Sequence, residues 1–354
     1  MSSTLFLNGI VHSASDPYAT AALVSDGVVA WLGDDSSADR VADPDVPRVD
    51  LAGAVLAPAF VEPGGPSVDP AQALRHGVAI VTVLAESGQT AQALQAAADP
   101  ALQTVVYRAA DTVDAEAAGV WLPAEGEALA ALVVASTRAG EQVHLVPPAG
   151  GDPAEGQAAA LAALRSAAEE LGAPALGRVR HRVVLTAPIT AEDRALLAAI
   201  SASVTVAPEA DGVLRAPLGT LLAEGVPVCL STAGEAGPWA AVRAALSHPD
   251  EAERISARSA FTAATRTPLR VLPDAPGATV QAAPRLTVSA PATFAVWEAD
   301  AVAVQSPDGR VAAWSTDTRA GTPLLPALDA ETALPRWRAT WVDGRPAAVE
   351  VADA

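Results

Sequence analysis

The sequence predicts an α/β protein: a (β/α)8 TIM-like barrel plus a small β-sandwich formed by the N- and C-terminal segments. Three observations carry this prediction. From Val55 to about Thr265, apolar runs alternate with Ala/Leu-rich helical stretches, the pattern of parallel βα units. Eight strand candidates fall within about 210 residues, the number that closes such a barrel. Both flanks instead carry short β runs broken by hairpin turns. The expected boundaries are 1–55 with 275–354 for the composite sandwich, and 56–274 for the barrel.

In chain order, Leu5-Phe6-Leu7 runs into Asn8-Gly9, and Ala22-Leu23-Val24 into Asp26-Gly27 and Val28–Trp31. Asn-Gly and Asp-Gly between apolar runs are strong hairpin signals. The barrel strand candidates are 55–61, 78–84, 104–108, 118–122, 142–146, 179–185, 203–207 and 226–231. Among them lie helices over 153–170, 190–200 and 253–266, with Pro153 suited to a first turn and Thr190–Asp193 to a capping box. The stretch between 108 and 118 is too short for a full crossover helix. After about residue 275 β runs return at Phe294–Trp297, Val302–Val304, Val311–Trp314 and Thr340–Val342, with Asp308-Gly309 and Asp343-Gly344 as turns. Neither terminal segment can hold a core by itself, so one shared sandwich is the economical solution.

Composition narrows the functional classes. Hydrophobic residues make up 51% and charged residues 18%, which excludes a disordered chain. All 22 basic residues are arginine, and 41 acids give a net charge of −19, so no nucleic-acid partner is expected. The single cysteine, Cys229, excludes internal disulfides and Cys-based zinc sites; the absence of lysine excludes a Schiff base or a P-loop. No apolar run is long enough to span a membrane, and the first residues lack a signal-peptide pattern, so a cytoplasmic location without a membrane partner is expected.

Several segments resemble the metal-dependent amidohydrolase superfamily. Leu51–Glu62 (LAGAVLAPAFVE) is similar to the family's L-x-G-x-x-V-x-P-G-F-I-D-x-H-x-H, and Ala73–Val81 to its L-L-x-x-G-V-T-T-V. Ala139–His144 and Arg180–Val183 resemble its A-G-x-Q-V and R-H-R-I segments before the fifth and sixth strands. Glu224–Val228 and Thr340–Arg345 extend the likeness along nearly the whole chain. The nearest branch is that of broad-specificity N-acyl and formamide hydrolases, with imidazolonepropionase nearby. The resemblance implies a metal centre at the C-terminal ends of the strands that hydrolyses C–N bonds.

Position by position, the ligands that the resemblance implies are missing. The first-strand H-x-H falls on Gly64 and Pro66, the fifth-strand histidine on Val146, the sixth-strand histidine on Leu185 after Val184, and the eighth-strand aspartate on Ala233; the fourth-strand lysine position is Trp121. Without the ion, the mechanism loses both its Lewis acid and its activated water. The expectation is therefore a protein with no cofactor and no metal, a pseudoenzyme with a scaffold or interaction role, assembled with itself or with an active amidohydrolase relative. The alternative is a divergent hydrolase of a small amide or cyclic imide, with a metal-free or rebuilt site. A third reading is a sensor that binds a small-molecule ligand in the old pocket.

The candidate acid/base residues at the barrel mouth are Glu62, Glu86, Asp152 and Glu235; the candidate binding residues are His144, His181, Thr232 and Trp239. His144 and His181 each precede a lost ligand position by two residues and so are expected to face the barrel interior, as a displaced pair or as buried, hydrogen-bonded imidazoles. Cys229, within an apolar strand, reads as a packed thiol. An open apolar pocket would speak for ligand binding, and a mouth plugged by Trp121, Trp239 and the proline loops for a scaffold.

Overall fold

Eight strands form one sheet in chain order: Phe60–Glu62, Val78–Ala85, Gln103–Ala109, Gly119–Pro123, Val143–Val146, Arg182–Leu185, Ser203–Val206 and Val228–Leu230. The computed structural model describes residues 2–64, 70–86, 101–112, 116–232, 236–280, 283–305, 314–315 and 322–350. Pairs from the second strand to the eighth are parallel. The fifth, sixth, seventh and eighth strands are buried along their whole length, because a parallel sheet has both faces covered and needs apolar residues on each.

Helices between the strands follow their local signals. Asp152 caps Pro153–Leu171, its side chain accepting from Ala154 N at 2.9 Å with Pro153 in the first turn. Thr190 and Asp193 form the expected capping box at Ala191–Ala199. Leu129–Ala139 ends on Gly140 at φ 75°, the left-handed conformation that glycine adopts without penalty. Between the third and fourth strands no helix lies among the described residues.

Two strand expectations change. The run over 55–61 divides at Pro58: Val55–Pro58 pairs antiparallel with the run from Phe294 to Trp297, and only Phe60–Glu62 joins the barrel sheet. The stretch expected as a strand over 179–185 begins only at Arg182. Pro174 instead starts a helix over Ala173–Val179, which Arg180 ends at φ 59°.

The chain divides into two compact units, residues 1–60, 71–79 and 281–354 in one and 61–70 and 80–280 in the other. The first unit holds a four-stranded sheet (Val28–Gly33, Ala21–Ser25, Ser3–Leu7, Arg48–Asp50) and a five-stranded sheet (Ile10–Val11, Val55–Pro58, Phe294–Glu298, Arg336–Val342, Arg345–Val349). Phe6 and Val24 from one and Leu56, Phe294 and Val296 from the other share one core. Phe6 stands edge-on to Phe294 and Trp341, with centroids 5.3 and 5.0 Å away. Asp26-Gly27 and Asp343-Gly344 turn with positive φ at both positions. The turn expected at Asp308-Gly309 lies outside the described residues.

Candidate functional site: the barrel floor and mouth

Strand alternation in the second unit puts Tyr107, His144, Arg182, Thr205 and Cys229 on one layer of the barrel interior, since Trp121, His144, Arg182 and Ser203 are register partners in turn. Arg182 is the centre of this floor, a guanidinium buried to 1% exposure. Its Nη2 donates to Pro63 O at 2.5 Å and Thr205 Oγ1 at 3.4 Å, and its Nη1 to Tyr107 Oη at 3.3 Å. Its carbon lies 5.4 Å from the centroid of the Tyr107 ring. Tyr107 Oη in turn donates to Gln142 Oε1. Burial raises the Tyr107 pKa, with Arg182 opposing. Burial pushes the Cys229 thiol up to about 12, opposed by Arg182 and reinforced by Glu62, so Cys229 is a packed thiol and no nucleophile.

Arg182 draws the chain after the first strand into the barrel. Gly64 sits there at φ 86°, where an added Cβ would lie 2.9 Å from Thr82 Cγ2 and 3.1 Å from His144 Cε1. Glycine is required at this position by backbone conformation and by space.

Glu62 ends the first strand fully buried, and both its oxygens are engaged. Ser231 Oγ donates to Oε1 and Oε2 at 3.0 and 3.1 Å; Thr232 N and Oγ1 donate to Oε2 at 2.7 and 3.0 Å; Gly64 N donates to Oε1 at 3.1 Å. The first and eighth strands are the two edges of the barrel sheet, so this carboxylate clasps the seam. Glu62 and Thr232, read from the sequence as acid/base and binding candidates, thus meet each other.

The histidines separate. His144 faces inward, wholly buried, with a centroid distance of 5.6 Å to Tyr107, and neither ring nitrogen has a hydrogen-bond partner among the described residues. Burial, with Arg182 adding to it, lowers its pKa well below the usual imidazole value. His181, expected to face inward beside it, points to the outside of the barrel instead. There Thr137 Oγ1 lies 2.9 Å from Nε2 and Val143 N donates to Nδ1 at 3.0 Å. The Thr137 hydroxyl donates to Val133 O at 2.7 Å, so His181 carries its proton on Nε2. Burial lowers its pKa to about 4. The reason for the difference is parity: even-numbered positions of the sixth strand face in, so Val184 lines the interior while Leu185 does not.

Above the floor the barrel mouth opens into a cavity of about 1250 Å³. Leu84, Trp121, Val146 and Val184 form apolar wall, and the run over 147–154 another side. Trp121 is fixed by its Nε1 bond to Ala85 O at 3.0 Å. Glu86 and Asp152 line this cavity; Asp152 also caps its helix. Trp239 does not line it: fully buried, it stacks on Phe261 at 5.4 Å from the helix Pro238–Leu246. Pro66, Ala233 and Glu235 lie outside the described residues. No group of three His, Cys, Asp or Glu side chains suited to a metal occurs among the described residues. The sequence reading missed Arg182, and alternation offered no signal for it, since His181 is polar and Val184 apolar within the same run.

No protein-family model matches the sequence, and neither does any curated protein. Solved structures match over nearly the whole chain. An atrazine chlorohydrolase mutant from Arthrobacter aurescens TC1, complexed with zinc and atraton, aligns with 14% identity and a TM-score of 0.62, covering 99% of this chain and 97% of its own. A β-aspartyl dipeptidase from Fervidobacterium islandicum AW-1, in complex with β-Asp-Leu dipeptide, gives 11%, 0.59, 98% and 96%. An adenosine deaminase from Xanthomonas campestris with bound zinc gives 16%, 0.56, 98% and 92%. The protein therefore has the amidohydrolase fold, a barrel accompanied by small β sheets. At these identities the likeness defines the fold and leaves the activity to the site.

Proposed function

We propose that this protein uses the amidohydrolase fold to recognise a small organic molecule in the barrel mouth, in a binding or interaction role and without metal-assisted hydrolysis. The observation that carries this reading is the floor beneath the cavity, where Arg182 and the Pro63–Gly64 backbone occupy the barrel interior. The residues do not fit a divalent ion. Of the five histidines, His12 and His76 belong to the first unit, His181 faces outward, and His248 bonds Asp250 N at 3.1 Å, which leaves His144. Position 64 has no room for a side chain, positions 66 and 233 are Pro and Ala, and the Glu62 oxygens are taken. An ion bound at His144 would face the charge of Arg182, a repulsion that the low-dielectric interior strengthens.

The scaffold reading expected a mouth plugged by Trp121, Trp239 and the proline loops; among the described residues Trp121 and Pro147-Pro148 line an open, largely apolar cavity, which supports ligand binding instead. Glu86 and Asp152 at the cavity keep a metal-free hydrolase of small amides as the second reading. Ligand-observed NMR with apolar aromatic fragments tests the proposal, with Val146→Trp as the variant that fills the cavity. Binding by the native chain that this variant abolishes supports the reading. Turnover of an amide panel that rises with added zinc or manganese overturns it, and metal-independent turnover lost in Glu86→Gln moves the assignment to the second reading.

A further inference from the structure

We infer that the mouth cavity takes an organic cation, an amine carried on an aromatic or aliphatic body. This rests on the ligand-binding reading above and adds the charge of the ligand. The cavity is large enough for a drug-sized molecule. Its walls are apolar at Leu84, Trp121, Val146 and Val184, and its only charged lining residues among those described are the four carboxylates Glu86, Glu125, Asp152 and Glu209. Asp152 accepts from its helix and Glu209 pairs with Arg215 at 2.7 Å. Glu86 and Glu125 are exposed at the rim and make no ion pair among the described residues.

Arg182 lies a layer below, its guanidinium held by Pro63 O, Thr205 Oγ1 and Tyr107 Oη, so an ammonium at the rim meets the carboxylates first. The overall charge of −19 acts in the same direction. Low-dielectric walls concentrate the field of the rim carboxylates on a ligand between them. Trp121 adds an indole, the aromatic surface that attracts cations most strongly. An apolar body against the walls with an ammonium at the rim satisfies both features, whereas a carboxylate on the same body meets like charge.

The test is titration calorimetry of the full chain with three probes on one ring system: naphthylmethylamine, naphthylmethanol and naphthoate. The ammonium is expected to bind about tenfold more tightly than the alcohol, with naphthoate weakest, and its advantage to shrink as salt rises. In the Glu86→Gln/Glu125→Gln variant the ratio of ammonium to alcohol affinity is expected to fall below about threefold. Equal binding of all three probes, or tightest binding of naphthoate, overturns the cation inference and leaves the ligand-binding reading intact. A ratio unchanged in the double variant also overturns the inference. Binding by none of the three overturns the ligand-binding reading itself, and the inference with it.

Discussion

Replacing Glu62 by alanine removes one carboxylate and strands four donors. Gly64 N, Thr232 N and the hydroxyls of Ser231 and Thr232 all point at its two oxygens in a site closed to solvent. The hydroxyls can rotate to other acceptors, but the two amides are fixed by the backbone. Each buried donor left without a partner costs about 1–3 kcal/mol, so the two amides together imply a loss of about 4 kcal/mol. In a unit of this size each kcal/mol lowers the melting temperature by about 2–4 °C, which puts the expected drop near 10 °C. Glu62→Gln keeps one acceptor oxygen but turns an amide NH2 toward a donor, and about half the loss is expected. The assay is thermal unfolding followed by calorimetry and circular dichroism, with Glu86→Gln as a surface control that melts with the native protein. A Glu62→Ala melting point within about 2 °C of native would refute the clasp, because none of its donors would then depend on this acceptor.

Gly64→Ala introduces a Cβ 2.9 Å from Thr82 at φ 86°, and a loss of at least about 2 kcal/mol in chemical denaturation is expected from strain and overlap together; a neutral result would remove this backbone from the barrel interior. His144→Leu replaces a buried ring with no hydrogen-bond partner among the described residues, so stability is expected to hold or rise by about 1 kcal/mol in urea titration. A loss above about 2 kcal/mol would show that the imidazole is bonded. For pH, the unfolded chain protonates His181 near 6.5 and the folded chain only near 4. The unfolded state thus binds more protons in that window, and the stability present above about pH 6.5 declines as pH falls toward 4, by about 1.4 kcal/mol per unit for this group. His144, lowered by burial and Arg182, steepens the decline. His181→Gln is expected to flatten the acid limb of the urea midpoint against pH, and an unchanged slope would contradict the assignment.

The fold was legible because periodicity reports it directly: alternating βα units, the capping box at Thr190 and Asp193, and the Asp-Gly turns each follow from a few adjacent residues. Parity within a four-residue strand was not. Arg182–Leu185 is buried on both faces, so its apolar pattern does not say which residues enter the barrel, and a shift of one position exchanged His181 for Arg182. The clasp was equally hidden, since Glu62 and Ser231 are 169 positions apart and meet only when the sheet curves round. That positions 64, 66 and 233 carry Gly, Pro and Ala could be read from residue identity; the placement of an arginine in the barrel interior needed the register.

The central claim is that a guanidinium and a glycine backbone hold the barrel interior where a divalent ion does not fit. Elemental analysis of untagged protein, purified without chelator and then equilibrated with zinc, iron or manganese, tests it most directly. The account predicts well under one tightly held ion per chain and no rise in melting temperature on metal addition. A stoichiometric ion that is lost in His144→Leu would contradict it.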